Sequence, residues 1–411
     1  MMAKEQNKGW IVTLAGLGIT LAVGVLSAWS LFKATIEVSI KNADGRFDWD
    51  LSRLNDPFAL CFPMVACNVM LAGRIQDKYG PRLTAIIGGI LVSAGLFVCA
   101  LSYSLSLWLV GMGLLLGTGI GFSFASATPP AIKWFPPSKT GLIIGIVVTG
   151  SGLAPVYVAP LGNYLINRFD LSTTLMFFAC ADLIIICGLG ALLVNPPAGY
   201  APKDVVISTA ASVREEKSVN FTLNEALNTV PLYILAALLG INAGIGLMII
   251  SNVTDMTQQA LGNWAGLAFI AVGSASGRII SGVVSDKVGR TQTLALFMGL
   301  QAITMFSFWG ITEDNHTAFI LVAVVSQGVC YGANFSLFPA VTKSFFGLKN
   351  FGAIYGIVYL GVGVGGFILP KLSQFIKVTT GSYDLVYILA GVLSIINVAV
   401  TLMVKGPNLV P

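Results

Sequence analysis

Gly73-Arg-Ile-Gln-Asp77-Lys-Tyr-Gly80-Pro-Arg82 recurs 209 positions further on as Gly282-Val-Val-Ser-Asp286-Lys-Val-Gly289-Arg290. Each copy stands between two apolar runs of about 20 residues, the length that crosses a hydrocarbon core as a helix. A generic basic turn would account for one copy; two in equivalent places mean that the chain repeats itself. The repeat extends well beyond the loops. Gly141, Gly145, Gly150 and Gly152 have Gly352, Gly356, Gly361 and Gly363 as counterparts 211 positions on, and Gly117, Gly121 and Phe124 pair with Gly328, Gly332 and Phe335 at the same displacement. Glycines kept in register permit close helix approach, while an acid and bases at helix ends cap those ends and pair across the surface. Asp77, Gly80, Arg82, Asp286, Gly289 and Arg290 are therefore expected to form a gating surface between the two halves.

Outward from these loops the chain is too oily for water. Over 411 residues it is 55% apolar and 10% charged, with a mean hydropathy of +0.84, a surface that only lipid can solvate. Twelve spans are predicted, at 9–36, 55–76, 83–103, 106–131, 140–166, 173–195, 229–253, 264–285, 292–311, 317–342, 351–376 and 383–404. The expected fold is all-α, with twelve transmembrane helices in two pseudo-symmetric six-helix bundles, 1–195 and 229–411. Residues 196–228, the one long polar stretch, read as a cytoplasmic linker. Near its end, Thr222 followed by Glu225 fits a capping box on a short helix at 221–227.

Lys and Arg mark the cytoplasmic side of a membrane protein. The even-numbered connections and the termini carry Lys4, Lys8, Arg74, Lys78, Arg82, Lys133, Lys139, Lys203, Arg214, Lys217, Lys287, Arg290, Lys343, Lys349 and Lys405. The opposite side has about half as many, Lys33, Lys41, Arg46, Arg53, Arg168, Lys371 and Lys377. Both termini are thus expected in the cytoplasm of a multi-pass protein of the plasma (bacterial inner) membrane. The same bias explains the net charge of +5 without a nucleic acid or an acidic protein partner. The first apolar run is too long for a signal peptide and has no small-residue cleavage pattern, so it reads as a retained helix. Cys61, Cys67, Cys99, Cys180, Cys187 and Cys330 all lie in apolar runs without metal-ligand spacing and read as small packing residues. No paired acids, metal cluster or nucleophile with its base stands within the spans, so neither an enzyme nor a bound cofactor is expected.

Twelve spans, a central loop and the paired Gly-x-x-x-Asp-x-x-Gly loops resemble the major facilitator superfamily. Within it, Gly24-Val-Leu-Ser-Ala-Trp29, Lys133-Trp-Phe-Pro136 and Arg278 resemble the oxalate/formate antiporter-like and monocarboxylate transporter families. The resemblance implies alternating access, with two bundles rocking about a site near the midplane. It also implies that helices 1, 4, 7 and 10 surround the cavity, that 2, 5, 8 and 11 form the bundle interface, and that 3, 6, 9 and 12 face outward.

Arg278 is the leading site residue. It lies eight residues before Asp286, or about 12 Å along a helix, which places it near mid-membrane. An arginine there costs at least about 2.5 to 3.5 kcal/mol on insertion scales and should face a cavity and an anion. Its planar fork matches a carboxylate, and its repeat counterpart is Val69, so the fold does not itself demand a cation. Tyr331, Asn334 and Phe335 from the tenth span, Tyr355 and Tyr359 from the eleventh, and Ser27, Leu31 and Phe124 from the first half are expected to line the site. One buried cation suits one carboxylate, so lactate, pyruvate or propionate fits better than oxalate. Oxalate carriers of the resembling family hold a second cation on helix 11, where this chain has Val358 or Tyr359. Animal monocarboxylate carriers have an Asp where this chain has Ser274 and a Lys where it has Leu31. Asp182 remains as the candidate proton carrier, and His316 reads as a solvated loop residue. The expected function is proton-coupled symport of a short monocarboxylate by a monomer in the bilayer. The alternatives are anion exchange of the oxalate/formate type and, from another class, a receptor-like protein that binds a carboxylate without moving it.

Overall fold

The computed structural model describes residues 2–42, 45–135, 140–197, 200, 221–261, 264–309, 317–347, 350–404 and 406–407. Pro136, Lys139, most of the linker with Lys203, Arg214 and Lys217, and His316, Lys349 and Lys405 lie outside the described residues, as do the side chains of Asp77 and Asp286.

Twelve long helices follow one another. The first, α1, is built of Met2–Ala22, a 3₁₀ segment Val23–Ala28 and Trp29–Lys41. Then come α2 (Asp56–Tyr79) and α3 (Pro81–Ala100). The fourth helix, α4, runs through Leu105–Trp108, a π-wound Leu109–Leu116 and Gly117–Lys133. It is followed by α5 (Thr140–Arg168) and α6 (Leu171–Gly190). The second half holds α7 (Val230–Leu261), α8 (Ala265–Val288), α9 (Arg290–Trp309), α10 (Thr317–Phe346), α11 (Phe351–Thr380) and α12 (Asp384–Met403). Eleven of them are long and apolar enough to cross a membrane by composition alone. The twelfth, α9, is of full crossing length but carries Gln301 and Thr304 at its middle, both buried against the bundle.

The loop repeat is visible in the backbone. Gly80 and Gly289, the matched glycines, take φ of 88° and 106°, a region that side chains with a Cβ avoid. Each ends one helix and starts the next without a gap. Arg82 and Arg290, which follow them, tie each turn to its own bundle. Arg82 Nε donates to Leu193 O at 3.2 Å, and Arg290 Nη1 donates to Ala340 O at 3.0 Å and to Ser344 Oγ. The short helix after the linker forms at Leu223–Leu227 with the expected capping box, Thr222 N–H donating to Glu225 and Glu225 N–H to Thr222. It is moored to the second bundle through Phe221 N–H to Phe346 O at 3.0 Å and Asn350 Nδ2 to Phe221 O at 2.9 Å.

Lipid tails offer no hydrophobic drive between helices, so packing rests on close approach and van der Waals contact. At the α7–α11 crossing, a Cβ on Gly365 would stand 1.8 Å from Gly240 O. Both atoms involved are backbone and neither can swing aside. Gly365→Ala is expected to lower the yield of monodisperse protein severalfold, read by size-exclusion chromatography in detergent.

The bundles meet where α2 packs on α11 and α5 on α8, with the distal part of α1 against α7. The two faces of the molecule differ. On the face opposite the termini, the seam is closed by polar contacts. Toward the face that carries the termini, a Cβ on Gly73, Gly145 or Gly356 would meet nothing within 4 Å. Farther along the same helices, Gly152 touches Arg278 and Gly366 touches Phe62 of the other bundle. Open space thus lies beside these helices toward the terminal face, and the bundles touch at the depth of Arg278.

Candidate substrate site and inter-bundle seam

Arg278 is half-buried where the two bundles touch, with its Nε atom fully buried. Its Nη1 donates to Val148 O of α5 in the opposite bundle at 2.7 Å, and its guanidinium carbon lies 5.5 Å from the centroid of the Phe335 ring, within cation–π range. Tyr331 and Tyr359 stand within electrostatic range of it. Tyr331 and Phe335 meet edge-on at 5.1 Å, and Tyr355 and Tyr359 lie 6.1 Å apart. Tyr331 is pressed against Gly246 of α7, where a Cβ would overlap its ring. Arg278 Nε, Ser274 Oγ and Asn334 Nδ2 are buried without a hydrogen-bond partner among the described residues. Buried donors normally find acceptors, so a group of them with Arg278 at its head is suited to an anion. No carboxylate among the described residues lies within 4 Å of Arg278.

The structure therefore gathers Arg278, Tyr331, Phe335, Tyr355 and Tyr359, with Ser274 one turn before Arg278 and Asn334 one turn after Tyr331. Leu31 is buried and reaches toward Gly162 of α5, within its own bundle. Ser27 and Phe124 are half-buried. Asp182 is buried in the first bundle with Oδ2 unpartnered among the described residues. Tyr157 lies within electrostatic range and donates to Leu21 O of α1 at 3.2 Å. The motifs behind the family resemblance are packing devices. Gly24 sits where α1 meets Ala154 of α5; Trp134 donates to Val194 O at 2.8 Å.

Sequence reasoning missed a fully buried cation. Lys33, expected at a helix end on the far side, is 0% exposed. Its Nζ donates across the seam to Asp255 Oδ2 and Asn252 Oδ1, both at 2.7 Å, and to Gln374 Oε1 at 3.4 Å. Asp255 also takes Lys377 Nζ at 3.1 Å and Tyr383 Oη–H at 3.2 Å. Beside this knot, Asn55 of the first bundle donates to Pro370 O at 3.0 Å and to Asn252 Oδ1 at 3.3 Å while accepting Trp29 Nε1–H at 2.9 Å. Gln374 Nε2 donates to Leu51 O at 2.9 Å, and Lys371 pairs with Asp56 at 3.1 Å. Two spacings carried the signal, Lys33-x-x-x-Glu37-x-x-x-Lys41 and Ser251-Asn252-x-Thr254-Asp255. The second lies across the expected end of span 7 at 253, whereas α7 continues to Leu261.

With this geometry in place, comparison with known sequences settles the lineage. The family profile described as Major Facilitator Superfamily matches residues 9–312 and 248–410. The chain belongs to the Major Facilitator Superfamily. Among its relatives in that superfamily, the "Uncharacterized MFS-type transporter YhjX" of Escherichia coli is 25% identical over 88% of this chain and 86% of its own length. The "Oxalate:formate antiporter" of Oxalobacter formigenes is 24% identical over 97% of this chain and 91% of its own length. The human "Monocarboxylate transporter 11" is 24% identical over 93% and 80%. As a member of the superfamily the chain is a multi-pass membrane transporter.

Proposed function

We propose that this transporter carries short-chain monocarboxylates, lactate- or pyruvate-like, together with a proton, by alternating access of the bundles 1–195 and 229–411 about Arg278. One observation carries the reading: Arg278 is a cation at the contact between the bundles, its Nε buried and unpartnered and no carboxylate within 4 Å of it among the described residues. Lys33, Lys41 and Lys377 are held in ion pairs with Asp255 and Glu37 at the far seam, so they place no second cation beside Arg278 and one substrate carboxylate remains the fitting load. Tyr331, Phe335, Tyr355 and Tyr359 supply an aromatic wall for a short organic tail, with Ser274 and Asn334 as polar partners; Ser27 and Phe124 are the lining from the first bundle, whereas Leu31 turns to Gly162 within that bundle. The excess of Lys and Arg in the connections of the terminal face argues for termini and linker 196–228 in the cytoplasm of a bacterial inner membrane. Asp77, Gly80, Arg82 and Asp286, Gly289, Arg290 would then close that face. Asp182 is the candidate for carrying the proton, and a monomer is sufficient for the cycle. Relatives named for monocarboxylates support the substrate class.

The antiporter relative favours a second reading, exchange of one carboxylate for another through the same arginine. Reconstituted protein separates them. A symporter accumulates labelled lactate when an inward pH gradient is imposed on empty vesicles, whereas an exchanger needs unlabelled carboxylate inside. Competition by a panel of mono- and dicarboxylates fixes the substrate class. Within the site, Phe335→Ala removes a wall of the tail pocket and is expected to shift the valerate-to-lactate uptake ratio by about tenfold, the scale set by a methylene or two in an apolar pocket.

A further inference from the structure

Arg278 is tied to the opposite bundle by an oxygen that is not a side chain. Its Nη1 donates to Val148 O of α5 at 2.7 Å, and the same carbonyl accepts Ser151 Oγ–H at 3.0 Å. The approach exists because position 152 is glycine. A Cβ there would stand 3.0 Å from Nη1, 3.1 Å from the guanidinium carbon and 3.3 Å from Nη2, closer than side chains ordinarily pack. Arg278 Nε meanwhile has no partner among the described residues.

We propose that Gly152 and the Val148 carbonyl form a docking notch that holds one arm of Arg278 while the site is empty, and that an arriving carboxylate displaces this carbonyl and frees α8 from α5. The inference rests on the reading that Arg278 binds the substrate carboxylate. A carboxylate accepts charge-assisted bonds roughly twice as strong as those to a neutral oxygen and can take two parallel N–H groups, so the exchange runs toward substrate. Because the displaced oxygen belongs to the other bundle, binding and the loss of an inter-bundle tie are a single event. A ligand shifts a conformational equilibrium only through such a difference between states. Gly152 is a positioning residue in this scheme: it touches Arg278, and through it sets how tightly the empty carrier competes with substrate.

Two substitutions on α5 test the notch with opposite signs. Gly152→Ala pushes the guanidinium back by a few tenths of an ångström and weakens the tie. The half-saturation constant for labelled lactate at the terminal face is expected to fall by about threefold, a fraction of a charged hydrogen bond. Ser151→Ala removes the competing hydroxyl donor and leaves Val148 O more fully to Arg278, so the constant is expected to rise by about twofold, part of one neutral hydrogen bond. Both are measured in proteoliposomes on protein whose thermal unfolding matches the parent. Crowding of the site would instead raise the constant, or lower only the maximal rate, in Gly152→Ala, and either result overturns the notch. If Gly152→Ala does not fold, an unchanged constant in Ser151→Ala overturns it and a raised one supports it. Arg278→Gln keeps the two readings apart. Persistent lactate transport in that variant defeats the carboxylate assignment itself, whereas lost transport with unmoved constants in the α5 variants defeats only the notch.

Discussion

Arg278→Gln is expected to lower lactate uptake by at least about a hundredfold, the scale of losing two charge-assisted hydrogen bonds in a dry site, while the protein keeps its fold. Glutamine has nearly the length of the arginine stem, keeps one donor nitrogen with two N–H groups and removes the charge, so neutralisation of the substrate is lost without opening a large void. Arg278→Lys is expected to fall nearly as far, because it retains the charge but cannot offer a planar fork or span Val148 O and a ligand at once. The fold should tolerate both. The described structure places no acid against Arg278, so its removal strands no buried counter-charge, and the repeat counterpart Val69 shows that the helix position accepts an apolar residue. Uptake within threefold of the parent in the glutamine variant would remove Arg278 from the proposed site.

Asp255→Asn is expected to move the resting population toward a state open at the face opposite the termini, by about tenfold to a hundredfold. The reason lies in which charges part company when the bundles separate. Glu37 keeps Lys41 at 2.8 Å and Asp255 keeps Lys377 at 3.1 Å, each pair within one bundle. Lys33 loses Asp255 together with Asn252 and Gln374, and Lys371 loses Asp56; of the two cations, Lys33 is the fully buried one. Breaking a buried ion pair by removing one member costs about 3 to 5 kcal/mol, and Lys33 keeps Asn252 Oδ1 and Gln374 Oε1 as acceptors in the variant, which argues for taking less than the full amount. Lys33→Met should act in the same direction but more weakly, since it removes the buried cation instead of leaving it without its acid. The shift can be read from spin-label distances between Leu101→Cys in the first bundle and Val378→Cys in the second, in a background with the six native cysteines replaced. A distance distribution unchanged by both substitutions would show that this knot does not hold the seam.

Much of the fold could be read from residue order because its causes are local or repeated. Apolar runs of crossing length, glycines 211 apart and the Thr222–Glu225 box each specify their element without reference to anything distant, and the helices match the predicted spans to within about five residues except at the start of α1 and the end of α7. Arg278 was legible for the same reason, being a cation in the middle of an oily run with a valine in the sister position. The seam was not. Lys33 and Asp255 are 222 positions apart, each at the end of an apolar run where a charge ordinarily meets water. Only folding turns two ordinary helix ends into a dry pair. The tie from Arg278 to Val148 was hidden differently, since a main-chain oxygen has no letter in the sequence and only the glycine beside it hints that something comes close.

The tight winding at Val23–Ala28 bears on that dry pair. Six residues wound three to the turn rise about 12 Å, against about 9 Å for the same residues in an α-helix, and differ from it by roughly 120° of rotation. Everything on α1 beyond Ala28, the ammonium of Lys33 included, is therefore displaced by some 3 Å and a third of a revolution from where an unbroken helix would carry it. The spring constant of two backbone turns, as much as the tilt of a six-helix body, fixes whether that ammonium reaches its acid.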